Sequence, residues 1–186
     1  MTNTESVIEK VLDLYLQHGH DDYIGEPVTQ LEHMSQSAEL AIEEGYDDEV
    51  VLAAFFHDIG HLCVSKNEVN DMNGLGIKDH EEIGAEYLRI LGFSERLTQL
   101  VNAHVEAKRY LCYKHPEYYE KLSPASRGTL ELQGGKMDSE EAQRFESNPL
   151  SPLFIKLREW DDRAKKVGIP VIDLNKIAER ISRVLK

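Results

Sequence analysis

An all-α fold follows from three observations on this 186-residue chain. Apolar residues recur at helical spacing along most of it, as in Val7, Ile8, Val11, Leu12 and Tyr15, or Leu31, Met34, Ala38, Ala41 and Ile42. Helix-start and helix-stop residues punctuate those stretches. No segment alternates apolar and polar residues over the length of a half-buried strand.

The elements follow in order. Thr4 is available to cap a first helix over residues 4–16, and residues 18–25 read as a polar loop. The stripe from Leu31 to Ile42 runs until Gly45, in the favoured position just past a helix end. Asp47 then caps a buried helix, whose run over residues 50–61 (Val-Val-Leu-Ala-Ala-Phe-Phe-His-Asp-Ile-Gly-His) carries His57-Asp58 into the interior on its last turn. Residues 64–78 form a long polar loop, a length that tends to be functional or mobile. Helices follow over 79–91, ended by Gly92, and over 94–111. Ser123-Pro124 and Ser151-Pro152 are start signals, the latter for 152–166. Asp138 with Glu141 makes a capping box, and Asp173 caps a last amphipathic helix bearing Ile177, Ile181 and Val184.

The bulk composition narrows the function. With 41% apolar and 30% charged residues the chain reads as a globular domain. Its formal net charge of -13 makes nucleic acid a poor partner, because binding it needs a basic footprint. No run reaches membrane-spanning length, and no basic start followed by an apolar stretch marks a signal peptide. Cys63 and Cys112 stand in no metal-type spacing and are expected as buried thiols in a reducing cytoplasm.

A histidine and an aspartate buried side by side are costly unless something pairs with them, and a divalent metal is the natural partner. One buried histidine is ordinarily a hydrogen-bonded core residue. Here His33, His57, His61, His80 and His104 all lie in or beside helices with apolar faces, whereas His18, His20 and His115 lie in polar surroundings. Helical bundles build metal sites from inward ligands on several helices. His33, His57, Asp58 and Asp161 suffice for one ion. His80 and His104 are surplus to it and hold a second if Asp58 bridges the two. Nitrogen and oxygen ligands without thiolate suit iron, manganese, nickel or zinc. His61, one turn after His57, reads as a group that supports a ligand or meets the substrate, rather than as a ligand itself. Lys108 shares a helix face with His104, and Arg158 shares one with Asp161. Ser126, Thr129 and Gln133 present donors at helical spacing, and together these groups suit a phosphate, phosphate ester or phosphonate.

The order His33, His57-Asp58, Asp161 resembles the HD-domain superfamily, and the added His80 and His104 resemble its mixed-valent di-iron oxygenases. Asp-Tyr-Ile-Gly-Glu (22–26), Gln-Leu-Glu-His (30–33), His-Asp-Ile-Gly-His (57–61), Gly-Phe-Ser-Glu-Arg (92–96), Ala-Lys-Arg-Tyr-Leu (107–111), Ser-Arg-Gly-Thr-Leu-Glu-Leu-Gln-Gly-Gly (126–135) and Arg-Glu-Trp-Asp (158–161) are similar to the 2-amino-1-hydroxyethylphosphonate dioxygenases. The resemblance covers residues 20–166. It implies an HD-domain helical bundle with the di-metal site in its core, a single domain over 1–186 with peripheral helices at both ends.

It also implies O₂-dependent cleavage of the carbon–phosphorus bond of (1R)-1-hydroxy-2-aminoethylphosphonate to glycine and phosphate. Two irons, Fe(II) and Fe(III), would be held by His33, His57, Asp58 and Asp161 and by Asp58, His80 and His104. Phosphonate contacts would come from His61, Lys108, Ser126, Thr129, Gln133 and Arg158. Tyr23 resembles a residue that occupies an iron position until substrate enters, and Glu26 the carboxylate that receives the amine. Asp58, His61 and Tyr23 are thus the expected catalytic groups. A hydroxylase supplying the substrate is the implied functional partner. A quaternary ammonium prefers an aromatic cage whereas a primary one donates hydrogen bonds to a carboxylate, so Tyr23 and Glu26 favour the primary amine over its trimethylammonio analogue. An HD phosphohydrolase and a non-catalytic phosphonate-binding protein are the rival readings.

Overall fold

The computed structural model describes residues 3–23, 25–64 and 70–186; Ile24 of the 22–26 motif and part of the expected 64–78 loop lie outside the described residues. Twelve helices are present among them: α1 (Asn3–His18), α2 (Gln30–Glu43), α3 (Asp48–Phe56), α4 (Gly60–Cys63), α5 (His80–Ile90), α6 (Glu95–Asn102), α7 (His104–Lys114), α8 (Pro116–Lys121), α9 (Pro124–Leu132), α10 (Ser139–Ser147), α11 (Ser151–Arg163) and α12 (Leu174–Val184). The described residues contain two isolated β-bridges and no longer strand, so the fold is all-α.

Helix α3 is the axis of the bundle. Every residue from Val50 to Phe56 is buried, so it must be covered all round, and α2, α6, α11 and α12 supply that cover. From α1, Tyr15 donates its hydroxyl to the Phe55 carbonyl at 3.0 Å. At the other end Asp48 meets Arg180 and Arg183 of α12, which tie the C-terminal helix over the start of α3. Trp160 of α11, fully buried, donates to Glu44 at 3.0 Å and closes the side next to α2.

Five side-chain caps do what the sequence implies. Asp47, Ser94, Ser123, Asp138 and Asp173 each accept a backbone N–H in the first turn, and Asp138–Glu141 forms a reciprocal capping box. Other expectations need correction. Thr4 and Ser151 lie inside their helices and cap neither, and the helix expected to reach 166 ends at Arg163. A further helix, α8, starts on Pro116, and Thr29–Glu32 is an unforeseen capping box for α2. Cys63 is only half-buried, while Cys112 is buried.

Two expected long helices are each broken. The run 50–61 stops as an α-helix at Phe56 and resumes as α4, and the run 94–111 divides at Ala103 into α6 and α7. In both places a histidine ring takes a carbonyl that a continuous helix would use. His57 Nδ1 bonds the Ala54 carbonyl at 2.8 Å, and His104 Nδ1 bonds the Val101 carbonyl at 2.8 Å. The breaks are part of the site.

Candidate metal centre

Neighbouring residues of a regular helix point about 100° apart, so His57 and Asp58 would diverge on one. The tight turn after Phe56, closed by Ile59 N–H to the Phe56 carbonyl at 2.9 Å, lets both face the same interior space. His80 stands at the first residue of α5, its Nδ1 3.1 Å from the Ile77 carbonyl. Three histidines thus use one device: a ring bonded to the carbonyl three residues earlier, at a helix end where that carbonyl is accessible. His33 lies at the first turn of α2 and uses a distant carbonyl instead, that of Ala164, at 2.9 Å.

Each of these bonds makes Nδ1 the donor and leaves the Nε2 lone pair pointing inward. The four Nε2 atoms meet in two pairs, His33–His57 at 3.0 Å and His80–His104 at 3.0 Å. Two lone pairs at that distance repel unless a cation lies between them. Nitrogens bound to one ion at right angles, at about 2.1 Å, stand about 3.0 Å apart. The Asp58 carboxylate divides between the pairs. Its Oδ2 lies 3.5 Å from His33 and 3.3 Å from His57; its Oδ1 lies 3.2 Å from His80 and 3.3 Å from His104. Asp161 adds Oδ1 3.4 Å from His33, a buried oxygen without a hydrogen bond. The donor set therefore fits two ions that share Asp58, with His33, His57 and Asp161 on one side and His80 and His104 on the other. His33, His57 and Asp58 are close enough to serve as one ligand group, as are Asp58, His61 and His80.

The electrostatics also call for positive charge. Burial raises the pKa of Asp58, but His57, His104 and His80 outweigh it and hold the carboxyl well below its usual range. Asp161 is likewise held low, by Arg158 and by His33 against burial. Burial would lower His57, yet Asp58 outweighs it and lifts the ring to about 9, a measure of how strongly this cluster favours positive charge. Asp161 is oriented by Arg158, at 2.5 Å, whose other donors go to Tyr118 at 3.0 Å and to Asp162.

Close backbone approach brings the second histidine pair in. A Cβ on Gly60 would lie 1.9 Å from the His80 carbonyl oxygen, and one on Gly84 would lie 3.1 Å from the Gly60 nitrogen. Gly60 is what lets α4 and α5 sit near enough for His80 to reach Asp58, and Gly84 eases the same contact.

A small pocket, with a cavity volume of about 60 Å³, opens over this centre. Asp58, His61, His80, His104 and Asp161 line it on the metal side, and Lys108, Ser126, Thr129, Gln133 and Arg158 on another. His33 and His57 lie behind that wall and are fully buried. Lys108 donates to Thr129 at 2.9 Å, and burial with the nearby Arg158 lowers its pKa to about 7. His61 is oriented opposite to the other histidines. Its Nδ1 accepts the Ile77 N–H at 3.1 Å, and burial with His80 alongside keeps the ring neutral, so Nε2 carries the proton as a donor.

The loop from Asp22 to Thr29, closed by an antiparallel bridge between them, brings Tyr23 and Glu26 to the same pocket. Gly25, at φ +79°, is its close contact with α9: a Cβ there would lie 2.6 Å from that of Ala125. Tyr23 stacks on His33, with centroids 3.9 Å apart, and burial beside the Asp58 and Asp161 carboxylates raises its hydroxyl pKa well above the usual value. Glu26 does not face the pocket alone, because Lys165 Nζ meets its Oε1 at 2.9 Å. Sequence reasoning misses Lys165 and Gln30, both pocket-lining, and Tyr118 and Asp162, which hold Arg158. Lys165 lies four residues after Asp161, a helical spacing that hints at a shared face; it falls just past the α11 C-cap at Ala164, where periodicity ceases to be a guide.

The fold and the Asp58-centred cluster define a class of metal protein, and comparison with known proteins agrees. The HD domain family matches residues 30–143. Over 166 residues the chain is 48% identical to an uncharacterized protein of Acanthamoeba polyphaga mimivirus, covering 88% of this chain and 76% of that one. It is 38% identical over 183 residues to the 1-hydroxy-2-(trimethylamino)ethyl phosphonate dioxygenase (glycine-betaine-forming) of Leisingera caerulea, covering 98% and 92%. The hydroxymethylphosphonate dioxygenase of Gimesia maris is 38% identical over 181 residues, covering 96% and 88%. The chain belongs to the HD-domain phosphonate dioxygenase family. Among the described residues no helix is long and apolar enough to cross a membrane.

Proposed function

We propose that this protein is a di-iron dioxygenase of phosphonate catabolism. It cleaves the carbon–phosphorus bond of (1R)-1-hydroxy-2-aminoethylphosphonate with O₂ to give glycine and phosphate. The observation that carries the reading is the division of one carboxylate, Asp58, between two histidine pairs at the floor of a pocket rich in phosphonate-type donors. Substrate, one O₂, glycine and phosphate balance in atoms and electrons, so no external reductant is consumed. Bound iron supplies Lewis acidity toward the substrate oxygens and the redox partner for O₂.

The chain's own groups bind and orient. Lys108, Thr129, Ser126, Gln133, Arg158 and the His61 Nε2–H surround the phosphonate, with Lys108 charged when the dianion is next to it. Tyr23, stacked on His33, shields the centre until the substrate displaces it. Glu26 takes the substrate ammonium. Tyr23 is, apart from histidines, the single aromatic side chain among the described residues lining the pocket. That is too few for an aromatic cage and favours a primary ammonium. The name of the Leisingera relative supports a second reading in which the trimethylammonio analogue is the substrate. All 186 residues act as one domain, and an upstream hydroxylase supplies the 1-hydroxy group. The test is phosphorus NMR of protein loaded anaerobically with Fe(II) and partly oxidised, mixed with each candidate phosphonate. Phosphate is expected only after O₂ is admitted. Equal phosphate without O₂ would overturn the oxygenase reading.

A further inference from the structure

Lys165 is held in an unusual way. The Ala164 carbonyl before it accepts from His33 of α2. The backbone of Lys166 after it is bonded at both N–H and C=O, 3.0 Å each, to the side-chain amide of Gln36, also on α2. With both neighbours fixed, the Lys165 side chain is delivered into the pocket, only 15% exposed. Its Nζ meets Glu26 Oε1 at 2.9 Å and Ser126 Oγ at 3.4 Å, and lies 5.9 Å from the centre of the Tyr23 ring. Glu26, 11% exposed, thus already has an ammonium partner supplied by the chain itself.

A phosphonate without a cationic tail leaves this pair intact. One with an ammonium tail must compete with Lys165 for Glu26. The two relatives named for their reactions differ in this feature, one acting on a trimethylamino compound and the other on hydroxymethylphosphonate. We infer that Lys165 is a specificity-determining residue, an internal ammonium that neutralises Glu26 and that an aminated substrate must displace. The inference rests on the phosphonate reading above. It also gives the pocket two settings: with Lys165 on Glu26 it suits a small tailless phosphonate, and with Lys165 swung aside it exposes a carboxylate.

The test is anaerobic calorimetry on the iron-loaded protein with 2-aminoethylphosphonate and ethylphosphonate, which differ only by the amine. Lys165→Met removes the competitor and is expected to shift the affinity ratio about tenfold toward the aminated ligand, the scale of one charged hydrogen bond. Lys165→Arg should keep the wild-type ratio, and Glu26→Gln should shift it the other way. Should Lys165→Met not fold, Lys165→Gln gives the same comparison. A purely structural lysine would weaken both ligands alike. An unchanged ratio in a variant that still binds both overturns the inference alone. Binding of neither phosphonate by the wild-type protein overturns the phosphonate reading and the inference with it.

Discussion

The two halves of the centre use the same ligand chemistry but are secured differently. The His33–His57 half is anchored by the core: α2 and α3 are packed on each other, both histidines are fully buried, and Asp161 is fixed by an arginine that is itself held by Tyr118 and Asp162. The His80–His104 half stands on the first residues of two helices and faces the pocket. It reaches Asp58 because Gly60 and Gly84 let two backbones nearly touch. One half follows from burying a hydrophobic face. The other depends on missing methyl groups. The first should therefore tolerate loss of the second, and not the reverse.

The largest test removes the shared residue. Asp58→Ala should bring turnover to background and lower iron in both halves, whereas His104→Ala should end turnover but keep about one ion per chain, at His33 and His57. Iron analysis beside O₂-dependent phosphate release checks this; phosphate release retained by either variant would sink the assignment. A smaller and sharper test is Gly60→Ala. Pushing the His80 carbonyl away should cost about 2 kcal/mol in denaturant unfolding and lower iron toward one per chain. Gly45→Ala is the control: its glycine has φ +79° and nothing within 4 Å, so stability should fall by about 1 kcal/mol with iron unchanged.

Lys108→Met probes the pocket rather than the metals. At pH 8 the Lys108 amine, its pKa held down to about 7, is mostly neutral, and an adjacent phosphonate dianion draws a proton onto it. Binding should take up a fraction of a proton and weaken as pH rises from about 7 toward 10. Calorimetry in buffers of different ionisation enthalpy should register that uptake in the wild type and lose it in the variant, with affinity down about tenfold. The sign for stability is opposite. Because the folded pKa lies below the ordinary 10.5, the unfolded chain holds more protons between those values, and this residue makes the free protein more stable as pH rises through them.

The fold class, most caps and the residues that converge on the centre are legible in the sequence because each rests on a local rule: period, cap preference, or donor type at helical spacing. The breaks at His57 and Ala103 are not, since each arises when a side chain competes with the helix for a carbonyl, and apolar periodicity continues through both. Lys165 escapes for a related reason. The expected helix over 152–166 says nothing about where its last lysines point, and only the tertiary contacts of His33 and Gln36 turn one of them inward. Gly60 shows the same limit, because nothing local says which other backbone a glycine is clearing.

The placement of charge has a consequence for how ligands arrive. The chain carries -13 in all, yet Lys108, Arg158 and Lys165 sit within the pocket wall rather than on the exterior. An anionic phosphonate approaching from bulk solution meets a repulsive field and finds attraction only at short range. Capture should therefore speed up as added salt screens the outer field over about 10 Å, while the buried contacts that set residence time change little. Encounter and retention are governed by opposite signs of charge in different layers of one small molecule.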